Sequence, residues 1–301
     1  MRRADFIITV SKPTPPPPPH KQITNLSFAF PDRPGYPRAR LRNPHVFYLI
    51  AAGFAVGLLV GMTGVGGGSL MTPLLTLLFG VNPAVAVGTD LAFAAVTKSV
   101  GTVTHRINGT VQWHIVRRLC LGALPAALVA TLGLAHFGAL DAAIGQFIRY
   151  SIAVSVLLTV LALIFRTRML AWVHAKPGRQ LQGRALATAT IVSGVVLGTL
   201  VTISSIGAGA IGATLLVMLY PRLSPAEVAG TDIAYAVPLT AIAALGHWWL
   251  GSIDWMLLLT LLVGSVPGIT LGSMAARVVP EKFLRVVLAL TLTTVAYKLV
   301  Q

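Results

Sequence analysis

The chain has 301 residues, of which 55% are hydrophobic and only 10% charged, with a mean hydropathy of +0.80. An average soluble protein is about 25% charged, so a soluble enzyme, a disulfide-built secreted domain and a disordered chain do not fit. The net charge of +15 sits in a tail and in short loops, with no polar domain to carry a duplex-binding face, so nucleic acid is not an expected partner. One cysteine, Cys120, rules out a disulfide framework or a cysteine metal site within the chain; no metal and no cofactor are expected.

Residues 1–43 hold eight Lys/Arg and two acids and include the run Pro15 to Pro19. This composition reads as a disordered, proline-rich basic tail. Its one apolar patch, Phe6 to Val10, is too short for a signal peptide core; a cytoplasmic tail and an extension from a misassigned start codon both remain open. Ten apolar segments follow, at 45–62, 68–80, 84–105, 114–135, 144–165, 185–203, 208–220, 226–248, 256–276 and 282–300. Eight are long enough to cross about 30 Å of hydrocarbon. The second and seventh are short, as broken or re-entrant helices are. The stretch 166–184 carries five Lys/Arg and reads as a cytoplasmic linker. The expected architecture is an all-α polytopic membrane protein with 8 to 10 membrane helices. It divides into a first membrane repeat (44–165), the linker (166–184) and a second repeat (185–301).

Self-similarity is the strongest signal. Gly88-Thr89-Asp90 returns as Gly230-Thr231-Asp232, an offset of 142, and the same offset maps Pro83 to Pro225, His105 to His247, Gly109 to Gly251 and Trp113 to Trp255. Residues 82–113 share ten identities in 32 positions with 224–255. Repeated glycines alone would follow from packing; a repeated acid, histidine and tryptophan point to a paired site. With all ten segments crossing, the halves are inverted, and one side collects Arg106, Arg117, Arg118, the central loop, Arg222, Arg277, Lys282 and Arg285. That puts the basic amino terminus outside. Eight spans would put both termini inside, and the inverted arrangement is the one favoured.

Chemistry concentrates at the breaks. Gly64-Val65-Gly66-Gly67-Gly68-Ser69 frees the backbone to leave helical geometry before a short helix containing Pro73. A helix starting at Gly68 or Ser69 would offer free N–H groups and a positive dipole end to an anion. The second copy, Ser204-Ser205-Ile206-Gly207-Ala208-Gly209, adds hydroxyls. The plainer role for such residues is close helix packing. Asp90 and Asp232 lie about two turns inside their segments, where a charge costs roughly 2.5–3.5 kcal/mol. They either couple a proton or cation or cap nearby broken helices, with Thr89 and Thr231. Lys98 could attract an anion or pair with an acid, and its counterpart is Thr240. His105 and His247 stand near segment ends, where titration near neutral pH and a plain interfacial role compete. No His-Glu-x-x-His, nucleophile elbow or cysteine–histidine arrangement is present, so an enzyme is not expected.

The run Gly61-Met62-Thr63-Gly64-Val65-Gly66-Gly67-Gly68-Ser69-Leu70-Met71-Thr72-Pro73-Leu74-Leu75, followed by Asn82-Pro83 and Gly88-Thr89, resembles the TauE/SafE sulfite exporter family, also called the toluene sulfonate uptake permease family. The second copy fits more weakly, with Ala208 and Ala210 where glycines would stand. The resemblance spans about 45–300. It implies a multi-pass permease of the cell's inner (cytoplasmic) membrane for small, often sulfur-containing anions: sulfite, sulfonates or related organic acids. The resulting expectation is a secondary transporter working by alternating access, possible proton coupling included. Its anion site would lie between the repeats, at Gly66, Gly67, Gly68, Ser69, Thr89, Ser204, Ser205, Gly207, Gly209, Thr231 and Lys98. Asp90, Asp232, His105 and His247 would be coupling or structural. A passive anion channel and a non-transport subunit of a membrane complex are the rivals. Substrate, direction, coupling ion and oligomeric state are open.

Overall fold

The computed structural model describes residues 43–63, 68–138, 141–175, 181–275, 290 and 293–294. Nine α-helices and no strand occur among them: α1 (Asn43–Thr63), α2 (Gly68–Leu78), α3 (Pro83–Ile107), α4 (Trp113–Phe137), α5 (Ala142–Ala175), α6 (Gly183–Ser204), α7 (Ala210–Leu219), α8 (Pro225–Trp249) and α9 (Trp255–Ala275). They follow the first nine expected segments in order. The tenth falls almost wholly outside the described residues, as do residues 1–42 of the expected tail and 64–67 of the first glycine run.

One boundary differs from the sequence expectation. The fifth segment does not end at residue 165; α5 continues to Ala175, through ten residues assigned to the linker. Nothing in Arg166 to Ala175 breaks a helix, and the first breakers are Pro177 and Gly178. The linker's basic residues deceived because charge alone does not stop a helix. The two short segments are short here as well: α2 has 11 residues and α7 has 10. Six helices among the described residues are long and apolar enough to cross a membrane, running within Pro83–Ile107, Trp113–Phe137, Ala143–Phe165, Gly183–Ser204, Pro225–Trp249 and Trp255–Gly272.

Local chemistry sets the starts of the two long central helices. Asn82 caps α3, its side-chain oxygen accepting from the Ala84 amide at 2.9 Å. Ser224 caps α8 in a reciprocal box with Glu227, with Pro225 at the first helical position. These helices then pack antiparallel. Gly88, early in α3, lies against the Ser252 carbonyl beyond the end of α8, and Gly230, early in α8, lies against the Thr110 carbonyl beyond the end of α3.

Two further helix pairs flank this centre, and both exchange helices between the halves. On α1, Gly53 and Gly57 rest on the Leu261 and Ser265 backbone of α9, while Gly264 and Gly268 rest on Ile50 and Phe54. On α6, Gly194 and Gly198 rest on Leu119 and Ala123 of α4, and Gly122 returns the contact at Ile191. Glycines four residues apart let two backbones touch, which is how helices associate where lipid removes the hydrophobic driving force. Larger apolar side chains face outward instead, among them Leu128, Val129 and Leu132 on α4 and Leu259, Val263 and Val266 on α9. Polar side chains are held inside, Asp90, Lys98 and Asp232 included. A water-soluble bundle distributes these groups the other way round.

The two ends differ in charge. At one end Arg118 of α4 donates to the Tyr220 hydroxyl beyond α7 at 3.4 Å, and Thr190 of α6 meets the same hydroxyl at 2.8 Å. Arg106 in the last turn of α3, Arg117 and Arg184 in the first turns of α4 and α6, and Arg222 in the turn before α8 gather there. At the opposite end stand Asp254 and Asp141. Half-exposed Trp113 marks the basic end, and Trp248 and Trp255, stacked edge to face at 6.4 Å, mark the other. Tryptophan at both ends is the pattern of interfacial belts.

Candidate functional site

The segment between α6 and α7 is the first element of the site. α6 closes at Ser205, which takes the left-handed conformation at φ 58° and donates its amide to the Val201 carbonyl at 2.7 Å. Gly207 and Gly209 follow at φ 131° and 138°, values that only glycine adopts without strain. The Gly212 and Ala213 amides then accept this geometry by donating to Gly207 and Gly209 carbonyls at 3.0 and 2.8 Å, and α7 begins. The break is therefore written into Ser205, Gly207 and Gly209. It is wrapped by protein on all sides: Ser204, Ser205, Ile206, Ala208 and Ala210 are all buried. Non-helical backbone at membrane depth is stable under that condition.

Charged side chains from α3 and α8 converge on this break. Lys98, at 6% exposure, donates its ammonium to the Ala208 carbonyl at 3.1 Å. It lies in the field of both Asp90 and Asp232. Asp232 sits against the Gly209 amide. Its Oδ1 and the Tyr235 hydroxyl lie against the Cα of Gly212, so a side chain at that position would have to displace them. Asp90 accepts from the Thr72 hydroxyl of α2 at 2.6 Å, with Ser205 on its other side. Four buried polar atoms in this centre have no partner among the described residues: Asp90 Oδ1, Asp232 Oδ1, Ser205 Oγ and Tyr235 Oη. Buried polar atoms are normally satisfied. All four belong to residues gathered at the α6–α7 break and the first turn of α7.

The expected residues sort themselves around this centre. Lys98, Asp90, Asp232, Ser205 and Gly209 come together there, and Gly207 shapes the backbone. Gly68 and Ser69 begin α2, four and three residues before Thr72; Gly66 and Gly67 lie outside the described residues. Ser204 turns away, to Ser155 of α5 at 3.0 Å and to the Leu200 carbonyl at 2.7 Å. Thr89 and Thr231 are also elsewhere. Thr89 accepts from the Asp254 amide at 3.1 Å, and Thr231 from the Gln112 amide at 3.0 Å, each at the start of a helix in the other half. His105 and His247 stand fifteen residues beyond the two aspartates on the same helices, roughly 22 Å along the axis. His247 is fully buried and satisfied, by Ser252 Oγ at 2.9 Å and the Thr202 carbonyl at 2.9 Å; His105 is half-buried and meets Thr110 Oγ1 at 2.8 Å.

Sequence reasoning missed Thr72, Tyr235 and Gly212. Thr72 was visible in the glycine-rich run but has no charge to flag it. Tyr235 could have been found, since it replaces Phe93 at the same offset and so adds one hydroxyl to an apolar position. Two apolar grooves, of about 540 Å³ beside α4, α5 and α6 and about 700 Å³ beside α5, α6 and α7, contain none of these groups.

Comparison with known proteins gives the family. The family model for the sulfite exporter TauE/SafE matches residues 49–299. A probable membrane transporter protein of Bacillus subtilis (strain 168), YjnA, is 38% identical over 231 residues, covering 75% of this chain and 88% of its own. A second from that organism, YdhB, is 28% identical over 81% of this chain and 95% of its own. One from Xylella fastidiosa (strain 9a5c) is 25% identical over 75% and 83%. No solved structure matches. These names point to transport across a membrane rather than to an enzyme. The chain is a multi-pass membrane protein and belongs to the TauE/SafE sulfite exporter family.

Proposed function

We propose that this protein is a secondary transporter for small anions, of the sulfite, sulfonate or related organic-acid class, working by alternating access between two inverted repeats. The observation that carries the reading is the buried ammonium of Lys98 on the α6–α7 break, among four orphaned polar atoms. An oxyanion needs one positive charge and several N–H or O–H donors. Lys98, Ser205, Tyr235 and the amides at the start of α7 offer that set. The first turn of α2, from Gly68, is the equivalent donor in the other half.

Contact equivalence supports the inverted repeat. Positions 142 apart make matching bonds: Thr89 with Asp254 and Thr231 with Gln112, His105 with Thr110 and His247 with Ser252. The matching helices α3 and α8 run antiparallel, which is the relation that a two-fold axis in the membrane plane produces. The basic end is then cytoplasmic by the positive-inside rule.

The test is flux of radiolabelled sulfite and sulfoacetate into proteoliposomes, with and without an imposed pH gradient. Saturable uptake driven above the solute gradient is expected. Uptake that only follows the solute gradient would make the protein a passive pore. Absence of both fluxes, in vesicles holding folded protein, would remove this substrate class. Gly68→Leu, which fills the start of α2, is expected to abolish flux while leaving insertion intact.

A further inference from the structure

The groove of about 700 Å³ beside α5, α6 and α7 lies apart from the charged centre. Its α5 wall is Leu158, Leu161 and Phe165, spaced to share one helix face, and the same face ends in Arg168, three residues after the membrane-crossing stretch Ala143–Phe165. Leu158, Leu161 and Phe165 are exposed, so the groove opens outward. Leu200 of α6 and Ile211 and Met218 of α7 line the other walls. Leu158 and Arg168 are ten residues apart, about 15 Å of helix, or half of a hydrocarbon layer of about 30 Å. Met218 is in the last turn of α7, two residues before the Tyr220 hydroxyl that Arg118 reaches at the basic end. The groove therefore spans one leaflet, from mid-depth to that end.

The lining chemistry selects a ligand. Among the described residues that line it the one hydroxyl, of Thr214, donates to the Ala210 carbonyl at 2.7 Å. The walls thus give a small polar solute nothing to bind, whereas an acyl chain needs only apolar surface. The polar feature is at the mouth. The Arg168 guanidinium is exposed, lies over the Phe165 ring at 5.9 Å and meets no carboxylate among the described residues. A planar guanidinium suits a phosphate. No acid lines the groove to take up the cation of a zwitterionic headgroup, and a second exposed arginine, Arg222, stands four residues beyond Met218. The groove of about 540 Å³ beside α4, α5 and α6 is as apolar but has no charged lining residue, so it has no means of choosing a headgroup. We propose that the α5–α6–α7 groove binds an anionic phospholipid of the leaflet at the basic end, with an acyl chain on Leu158, Leu161 and Leu200 and the phosphate on Arg168. The chain then packs against α7 from behind. Ile211 adjoins Gly212, against which Asp232 Oδ1 and the Tyr235 hydroxyl lie, so the lipid supports the helix whose first turn meets the charged centre. The site rests on the membrane character of the fold and not on the transporter reading.

Native mass spectrometry of the full-length protein in detergent, titrated with phosphatidylglycerol and with phosphatidylcholine of the same chains, tests it. Phosphatidylglycerol is expected to bind about fivefold more tightly, the factor that one basic side chain contributes at a membrane surface. Arg168→Gln is expected to abolish that preference. Leu161→Trp, which fills the groove from an exposed position, should weaken both lipids, and Val129→Trp in the uncharged groove should leave the preference unchanged. Phosphatidylglycerol with a photoactivatable group on its chain is expected to label residues 158–165 and 211–218 ahead of other surfaces. A preference that survives Arg168→Gln, labelling spread evenly over the apolar surface, or a dimer cross-linked through α5 across the groove would overturn the proposal. Selective lipid binding by a protein that moves no sulfite would uphold the lipid site and remove the substrate; sulfite flux without lipid selectivity would do the reverse.

Discussion

The ends of α3 and α8 behave alike, and their middles do not. At the ends, positions 142 residues apart make the same bonds to the same kinds of partner: glycine against a carbonyl, threonine under a helix-start amide, histidine on a hydroxyl. In the middle, Lys98 answers to Thr240, Tyr235 to Phe93, and each aspartate has its own neighbours. Equivalent ends fix two antiparallel helices in one register. In the middle, Lys98, the one buried ammonium among the described residues, has no counterpart on α8 and lies in the field of both carboxylates.

The largest expected effect falls on that ammonium. Asp232→Asn removes one of the two carboxylates in whose field Lys98 is buried, and taking away the charge that balances a buried one costs up to about 3 kcal/mol. Thermal unfolding in detergent should show that loss. The double variant Lys98→Met/Asp232→Asn should recover part of it, because the ammonium is gone and only Asp90 is left without its positive neighbour. A double variant as unstable as the single would remove the dependence of Lys98 on Asp232.

Next come the glycines under the end contacts. Gly88→Val would drive a side chain into the Ser252 carbonyl, and Gly230→Val into the Thr110 carbonyl. Overpacking of this kind costs roughly 1–3 kcal/mol, more where the neighbour is backbone. Both are expected to lower the unfolding temperature of the detergent-solubilised protein by similar amounts. A silent Gly230→Val beside a severe Gly88→Val would contradict the equivalence of the ends.

Much of this was legible from residue types and spacing. The apolar segments 84–105 and 226–248 announced α3 and α8, and the offset of 142 set them side by side as candidates for equivalent contacts. The charged centre was half legible. Asp90, Lys98 and Asp232 stand out because charges inside apolar runs are costly and rare. That all three meet at the second break depends on how α6 and α7 lie across α3 and α8, which no local pattern encodes. Thr89 and Thr231 misled for the same reason. Next to the aspartates in sequence, they point around the helix to the other half and act as caps there. The extension of α5 to Ala175 was missed because a basic stretch was taken for a loop, although its residues include no breaker.

The histidines test how far the likeness of the ends extends. His247 is fully buried with bonds from both ring nitrogens, while His105 is half-buried with one. Alanine at 247 opens a cavity and orphans the Thr202 carbonyl, a loss of about 2–3 kcal/mol. Alanine at 105 should cost about 1 kcal/mol. The ordering is the prediction: an equal loss at the two sites would show that the second bond of His247 contributes nothing.

The smallest effect is the sharpest on symmetry. Thr89→Val and Thr231→Val each remove one hydroxyl from a fully buried site and leave one amide, of Asp254 or Gln112, without its acceptor. A lost helix-start bond of this kind costs about 1 kcal/mol. The two sites stand at opposite ends of the antiparallel pair and share no partner, so the double variant should lose the sum, within about 0.5 kcal/mol. Chemical unfolding of the three variants in one detergent measures this. Matched single losses that add would mean that the ends are two independent copies of one joint. A large loss at Thr89 alone would mean that the joint next to Asp90 carries more than its one hydrogen bond, and that the likeness of the ends stops short of the carboxylate.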